Sequence, residues 1–224
     1  MVGERQECRR VAVSNPGSMT VEFRQLKVAG SWEITPKQFG DDRGVFLEWF
    51  KEPAFVEAVG HSVNLAQANC SVSAAGVLRG IHFADVPPGQ AKYVTCIRGA
   101  VLDVVVDLRV GSPTFGSWDS VLLDDIDRRA IYLSEGLGHA FLSLEDDSTV
   151  VYLCSEGYAP GHEHGINPLD PEVGIDWPTT SRSEEPLELL LSEKDTAAPS
   201  LTEAEASGLL PRYIDVREWI NGLH

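Results

Sequence analysis

The chain of 224 residues contains no apolar run that approaches the about 20 residues needed to cross a bilayer. The pair Arg9-Arg10 could open a twin-arginine export signal. However, the apolar stretch behind it, Val11–Val13, is too short for such a signal and is broken by Asn15-Pro16-Gly17. We therefore expect residues 1–18 to be a disordered leader and the protein to be soluble, with no membrane partner.

Basic residues are also scarce. The 18 Lys and Arg residues face 34 Asp and Glu residues, which gives a formal net charge of −16. A surface this acidic repels a polyphosphate backbone, so nucleic acid is not an expected partner.

The chain has four cysteines, with no close spacing between them. Three of the four fall inside apolar, strand-like segments. We expect reduced core cysteines in a cytoplasmic protein. The four residues are Cys8, Cys70, Cys96 and Cys154.

Apolar residues make up 43% of the chain, which is enough for a sizeable core, and between residues 20 and 180 their period is mostly two. The segment Tyr93–Leu108 divides at Arg98-Gly99 into two strand-like runs, which predicts a hairpin. In its second half, alternation places Asp103 and Asp107 on one face, and Leu102, Val104, Val106 and Leu108 on the other. Further strands are predicted at Trp32–Thr35, Val45–Phe50, Asn64–Val72, Ser117–Leu123, Ala130–Leu133, Ala140–Leu144 and Thr149–Cys154.

Many short strands with no helical patterns between them favour an all-β jelly roll or barrel. Helices are predicted only at the flanks, at Pro53–Val59, Leu201–Leu210 and Asp215–Leu223, and the second begins with a capping box of Ser200 and Glu203. We expect one domain over residues 19–224. Its tail, from about residue 187, is helical and follows a polar connector at residues 178–186.

The segment Gly76–Lys92 carries the strongest chemical signal. Alternation puts Arg79 on the opposite face from His82, unless Gly80 introduces a bulge. A histidine base with Lys92 nearby suits removal of a proton next to a carbonyl, because the ammonium group can stabilise the enolate. The alternative is that His82 is a hydrogen-bonded core histidine.

Other candidates are weaker. Tyr152 could supply an acid, or pack in the interior, and His139 could contact a phosphate or sugar, or be a loop residue. The segment His162-Glu163-His164 has a spacing found in metal sites but follows Ala159-Pro160-Gly161, so we interpret it as an exposed loop and expect a metal-free active site.

Eight motifs resemble those of the dTDP-4-dehydrorhamnose 3,5-epimerase family, in the same order and over about residues 21–210. They are FGDDRGVFLEWF (39–50), AQANCSVS (66–73), GVLRGIHF (76–83), PPGQAKYVTC (87–96), DVVVDLRVGSPTFG (103–116), YLSEGLGHAF (132–141), VVYLCSEGY (150–158) and LSEKDTAAP (191–199). The resemblance implies a double-stranded β-helix, also called a cupin-type jelly roll, that needs no cofactor.

Matched by motif, the resemblance implies that His82 is the base, Tyr152 the acid on the opposite face, Asp195 the partner of His82, and Lys92 the group that holds the 4-keto oxygen. Arg79 would contact the pyrophosphate or sugar. Arg43, Phe46 and Glu48 would reach the nucleotide site of a neighbouring subunit. Further substrate contacts would be Gln67, Asn69, His139, Tyr158 and Glu163.

The expected activity is epimerisation at C3, or at C3 and C5, of dTDP-4-keto-6-deoxy-D-glucose, since both carbons lie next to one carbonyl. Alternatives are a ketoisomerase on the same substrate and a sugar-binding jelly roll without catalysis. We expect a homodimer with shared sites, in which the strand-like arm at Val21–Ala29 is suited to add to the partner's sheet. Arg43 could instead serve only its own chain, as a surface charge.

Overall fold

The computed structural model describes residues 10–13 and 21–222. Fourteen strands are present in these ranges. They are β1 (Arg10–Val13), β2 (Val21–Gln25), β3 (Ser31–Thr35), β4 (Gln38–Asp41), β5 (Gly44–Leu47), β6 (Gln67–Ser73), β7 (Leu78–Ala84), β8 (Lys92–Arg98), β9 (Ala100–Asp107), β10 (Trp118–Asp124), β11 (Ala130–Leu133), β12 (Leu137–Ser143), β13 (Ser148–Cys154) and β14 (Glu163–Gly165).

Four helices complete the described part of the chain. Helix α1 (Glu52–Val59) lies between β5 and β6, and α2 (Glu193–Thr196), α3 (Leu201–Ala206) and α4 (Tyr213–Asn221) form the tail. The predicted capping box of Ser200 and Glu203 opens α3 and is confirmed. No helix among these residues is long and apolar enough to cross a membrane.

Two antiparallel sheets form the body of the protein. The larger has the order β1-β2-β3-β11-β8-β13-β6, the smaller has the order β10-β9-β12-β7-β14, and β4 and β5 pair as a separate hairpin. Val101 and Val105 of the small sheet pack with Val94 and Val150 of the large sheet in the core between them. The predicted double-stranded β-helix jelly roll is confirmed.

The outer face of the small sheet is also buried, because the tail covers it. Val104, Val106 and Leu108 pack there with Leu201 and Leu210. The predicted alternation along β9 is therefore correct, and both of its faces are in the interior. This tail also carries α2 to the small sheet, where it contacts β7.

The hairpin predicted at Arg98-Gly99 is wrong. Strand β8 pairs with β11 and β13, whereas β9 pairs with β10 and β12, so the chain crosses from one sheet to the other at Gly99. Gly99 has a φ of 76°, and a Cβ on it would lie 2.7 Å from Ser148 Oγ. A larger residue would obstruct this close crossing.

Three further expectations are corrected near the sheet edges. Residues 10–13, assigned to the disordered leader, form β1 and pair with β2, while residues 1–9 and 14–18 lie outside the described residues. Strand β2 pairs with both β1 and β3 of its own chain, so the Val21–Ala29 arm does not offer an edge to a partner's sheet. Cys70 is exposed on β6, whereas Cys96 and Cys154 are buried as predicted, and Cys8 lies outside the described residues.

Candidate active site

A histidine–carboxylate pair joins the small sheet to the tail. His82 lies on β7, and its Nε2 donates a hydrogen bond of 2.6 Å to Asp195 Oδ1. Asp195 is buried in the first turn of α2, where its backbone N–H donates to Ser192 Oγ at 3.0 Å. The short helix therefore fixes the carboxylate, and the carboxylate fixes the orientation of the imidazole.

The pKa of His82 is lowered from its ordinary value. Burial is the largest cause, Asp195 opposes it, and Lys92 and His139 lower the pKa further. The imidazole is therefore neutral at neutral pH. Because Nε2 holds its proton toward Asp195, the lone pair of Nδ1 is free to accept a proton.

A β-bulge brings Arg79 and His82 to the same side of β7. On β12, His139 pairs with His82 and Phe141 pairs with Arg79. These pairs are two residues apart on β12 but three residues apart on β7, so β7 contains one extra residue between them. A Cβ on Gly80 would lie 2.4 Å from the His139 carbonyl oxygen, so the bulge needs glycine there. The bulge that the sequence left open is thus present.

Arg79 points across the barrel toward the large sheet. Its Nε donates to Ser73 Oγ on β6 at 3.2 Å, and its charge acts to lower the pKa of Tyr152 on β13. Burial of Tyr152 has the larger effect, and the net pKa is raised. Tyr152 therefore keeps its phenolic proton at neutral pH, which an acid requires.

Lys92 begins β8 beside Cys154 of β13. Burial lowers the pKa of Lys92, while Cys154, Glu163 and Asp103 act to raise it. The net pKa of Lys92 is lowered, so burial outweighs these neighbours. When this amine is protonated, its position away from water and near carboxylates lets it interact strongly with a developing negative charge.

His82, Lys92 and Tyr152 line one open cavity of about 310 Å³ between the two sheets, whereas Arg79 and Asp195 are not among its lining residues. One lining residue, Gln90 in the segment before β8, was not predicted from the sequence. The prolines and glycine that precede it indicate a turn, but they do not indicate that the Gln90 side chain enters the cavity. The cavity is lined by Gln67, Asn69, His82, Gln90, Lys92, Tyr152, Tyr158 and Glu163. Tyr158 is exposed at the rim, and its backbone N–H donates to Gln67 Oε1 at 3.0 Å.

His139 does not line this cavity and is not a loop residue. It is buried within β12, and its Nε2 contacts both oxygens of the fully buried Asp103, at 3.0 and 2.9 Å. Burial raises the pKa of Asp103, and His139 and Lys92 act against this. The sequence showed only that Asp103 shares a face with Asp107, so this pair was missed.

The expectation that residues 162–164 form an exposed loop holds for His162, which is exposed and precedes the strand, but is wrong for Glu163 and His164. Glu163 begins β14, which is half-buried and pairs with β7. The histidines on either side of it both contact Asp85, His162 Nδ1 at 3.1 Å and His164 Nε2 at 2.8 Å. Among the residues that the structure describes, no cluster of three or more His, Cys, Asp or Glu side chains is arranged to hold a metal ion.

Three predicted substrate contacts lie away from the cavity of their own chain, on or just after the β4–β5 hairpin. Arg43 is exposed and pairs with Asp41. Phe46 is 62% exposed, and Glu48 forms an ion pair with Lys51, in which Glu48 Oε2 lies 3.2 Å from Lys51 Nζ. None of the three residues lines the cavity of its own chain.

The cavity as a whole is suited to proton transfer at carbon. It combines a neutral imidazole, a protonated phenol and a lysine amine, and the imidazole and phenol come from different sheets. Such a set can remove a proton beside a carbonyl, stabilise the enolate and return a proton.

The model of the family described as dTDP-4-dehydrorhamnose 3,5-epimerase matches residues 25–203. The chain belongs to this family. His82, Lys92, Tyr152 and Asp195 all lie within the segment that the epimerase model matches.

Relatives described as 3,5-epimerases and as 3'-monoepimerases are both similar to the chain over most of its length. The dTDP-4-dehydrorhamnose 3,5-epimerase of Mycolicibacterium smegmatis is 62% identical over 89% of this chain and 96% of its own. The rmlC epimerase of Mycobacterium tuberculosis has a TM-score of 0.86 and 55% identity, covering 90% and 99% of the two chains. ChmJ, a 3'-monoepimerase from Streptomyces bikiniensis in complex with dTDP-quinovose, has a TM-score of 0.83 and 52% identity, covering 88% and 97%.

Proposed function

We propose that the protein epimerises dTDP-4-keto-6-deoxy-D-glucose at C3, or at C3 and C5, for deoxysugar biosynthesis. The observation that carries this proposal is the His82–Asp195 hydrogen bond of 2.6 Å, beside a cavity that also contains Tyr152 and Lys92. Membership of the epimerase family and the dTDP-sugar bound to ChmJ support the substrate class.

The reaction begins when His82 Nδ1 removes the proton on a carbon next to the 4-keto group. The electron pair of the C–H bond moves onto the carbonyl oxygen, and Lys92 stabilises the resulting enolate. The Tyr152 phenol then donates its proton to the opposite face of that carbon, which inverts the centre. Solvent returns the proton to Tyr152 and takes one from His82, so there is no net oxidation or reduction and no cofactor is needed.

The other groups around the cavity position the substrate. Arg79, which points across the barrel toward Tyr152, contacts the pyrophosphate or sugar. Gln67 and Asn69 are joined by a hydrogen bond of 2.8 Å on β6 and present amide groups to the substrate. Tyr158 and Glu163 make further contacts at the rim. His139 does not line the cavity, and its charge acts to lower the pKa of His82.

The active form in this proposal is a cytoplasmic homodimer. Arg43, Phe46 and Glu48 complete the nucleotide site of the partner, which is consistent with their absence from the lining of their own cavity. Exposed apolar side chains also favour self-association, because Val72 of edge strand β6 is 58% exposed and Ile97 of β8 is 49% exposed. The exposed free thiol of Cys70 on β6 is compatible with a reducing compartment.

Incubation with the nucleotide sugar in D₂O tests the function. We expect deuterium at C3, or at C3 and C5, together with inverted product, and NMR of the sugar counts the labelled positions. The His82→Ala variant loses the exchange, whereas His162→Ala, which alters an exposed histidine outside the cavity, retains it. Binding without exchange would show a sugar-binding protein, and a carbonyl moved to C3 would show a ketoisomerase. Either result contradicts the proposal.

A further inference from the structure

A second cavity of about 300 Å³ lies beneath helix α4. We call it the α4 pocket and define it by Trp32, Tyr132, Ser134, Tyr213, Arg217 and Ile220. It shares no lining residue with the active-site cavity. Its size is at the lower end of the range for small-molecule sites.

The floor of the α4 pocket contains two unsatisfied hydroxyl groups. Tyr132 is fully buried and Ser134 is 3% exposed, yet neither Tyr132 Oη nor Ser134 Oγ has a hydrogen-bond partner among the described residues. Folded proteins pair nearly all of their buried polar groups, so two orphans in one cavity are unusual. Burial raises the pKa of Tyr132 well above its ordinary value, and the nearby Glu135 adds to this, so the phenol remains a donor.

A guanidinium group lies beside these hydroxyls. The point where a Cβ on Gly30 would lie is 2.5 Å from Ser134 Oγ and 3.7 Å from Arg109 Nη1. Arg109 Nε and Nη2 donate hydrogen bonds to Asp107, and Nη2 also donates to the Ala29 carbonyl. The third nitrogen, Nη1, makes no hydrogen bond within the described part of the chain. The floor therefore offers three donors and requires acceptors.

The walls and the mouth of the pocket indicate which other groups a ligand should carry. Trp32, Tyr213 and Ile220 supply apolar surface. The guanidinium of Arg217 lies 5.7 Å from the Tyr213 ring centre, is exposed, and has no ion-pair partner among the described residues. The carboxyl group of Glu135 is close enough to Tyr132 to affect its pKa. Burial raises the pKa of Glu135, which favours the neutral form of this carboxyl group. Because Arg109 is paired with Asp107, the unbalanced positive charge at the pocket is that of Arg217, in a protein with a net charge of −16.

We propose that the α4 pocket binds a small organic oxyanion, a phosphate monoester or carboxylate, attached to a planar ring. The oxyanion accepts hydrogen bonds from Tyr132, Ser134 and Arg109 Nη1, and the ring packs on the apolar walls. This site is separate from the epimerase site and does not depend on the proposed activity.

Phenyl phosphate and benzoate are suitable probes for calorimetric titration, with the active site saturated by dTDP and with neutral benzyl alcohol as the charge control. We expect saturable binding of at least one anion to a single site, and the tighter of the two identifies the preferred oxyanion. Tyr132→Phe and Ser134→Ala each weaken binding about tenfold, since each removes a hydrogen bond to a charged acceptor. Arg217→Gln weakens binding as well. The matched control, Arg212→Gln, leaves binding unchanged, because Arg212 is on the same end of the tail but outside the pocket.

The same variants separate a ligand site from a structural role. Removing a buried hydroxyl that has no protein partner leaves the Tm of the free protein unchanged or raises it. A lower Tm in Tyr132→Phe and Ser134→Ala would show that the hydroxyls stabilise the fold, and would overturn the proposal. Absence of saturable binding, equal binding of benzyl alcohol, or full binding by the double variant would also overturn it.

Discussion

His82 and Asp195 are 113 residues apart in the sequence, but His82 Nε2 lies 2.6 Å from Asp195 Oδ1. We expect Asp195→Asn to lower kcat/KM by about a hundredfold, because an amide does not favour the required tautomer or stabilise the imidazolium. Asp195 acts to raise the pKa of His82, so its removal lowers that pKa further. The acidic limb of the pH–rate profile then moves to lower pH. An unchanged limb, or one moved to higher pH, would exclude this role for Asp195.

Tyr152→Phe separates the two proton transfers. The variant retains His82, so the substrate should still exchange its C3 proton with D₂O, but without the phenol we expect little inverted product. NMR measures exchange and inversion in one sample. His82→Ala provides the contrast, since it loses both. Equal loss of exchange and inversion in Tyr152→Phe would contradict the assignment of this residue as the acid.

Complementation tests the shared site. Arg43→Ala and His82→Ala dimers should each be weakly active, because every site lacks one of the two residues. After the two variants are unfolded and refolded together, mixed dimers contain one site with both residues and recover activity. Each variant refolded alone is the control. Lack of recovery in samples that contain mixed dimers, or full activity of a sedimenting monomer, argues that the chains do not share their sites.

Asp107→Asn should lower the free energy of unfolding by about 3–5 kcal/mol, because it leaves the buried Arg109 without its counter-ion. Urea unfolding measures the change. The exposed pair of Arg98 and Asp147 provides the control, and Asp147→Asn is expected to have little effect. A small loss in Asp107→Asn would show that the buried pair contributes little.

The same carboxylate predicts a pH dependence of stability. Burial acts to raise the pKa of Asp107, but Arg109, Ser112 and Thr114 outweigh it, and the net pKa in the folded protein is lowered. The stability that Asp107 contributes is therefore complete above the unfolded pKa of about 3.9 and is lost as pH falls toward the folded pKa. Unfolding curves measured between neutral and acidic pH should show a shallower dependence in Asp107→Asn.

Alternation predicted the regular strands well. Along β9 it correctly separated Val104 from Asp103, because each face of that strand packs against a different layer. It failed at Gly99, since a glycine between two apolar runs is compatible both with a hairpin and with a crossing between sheets. The choice depends on strands that pair with these runs from distant parts of the chain, such as β11 and β12.

The site was less accessible to pattern analysis. Asp195 lies in a helix of four residues, which is too short for any periodicity, and only its motif resemblance identified it. Glu163 begins a three-residue strand with a polar sequence, and its burial results from pairing with β7. The bulge at Gly80, which turns Arg79 to the side of His82, was left open by the sequence and required the register with β12.

The position of Asp195 in the tail has a consequence for biogenesis. During translation the base, the acid and both sheets of the barrel emerge from the ribosome before the carboxylate that orients the base. If Asp195 has the proposed role, a nascent chain that has folded its barrel has no more activity than the Asp195→Asn variant until α2 has emerged and docked. The same dependence applies to the mature protein, in which local detachment of the tail would lower the activity while the barrel remains folded.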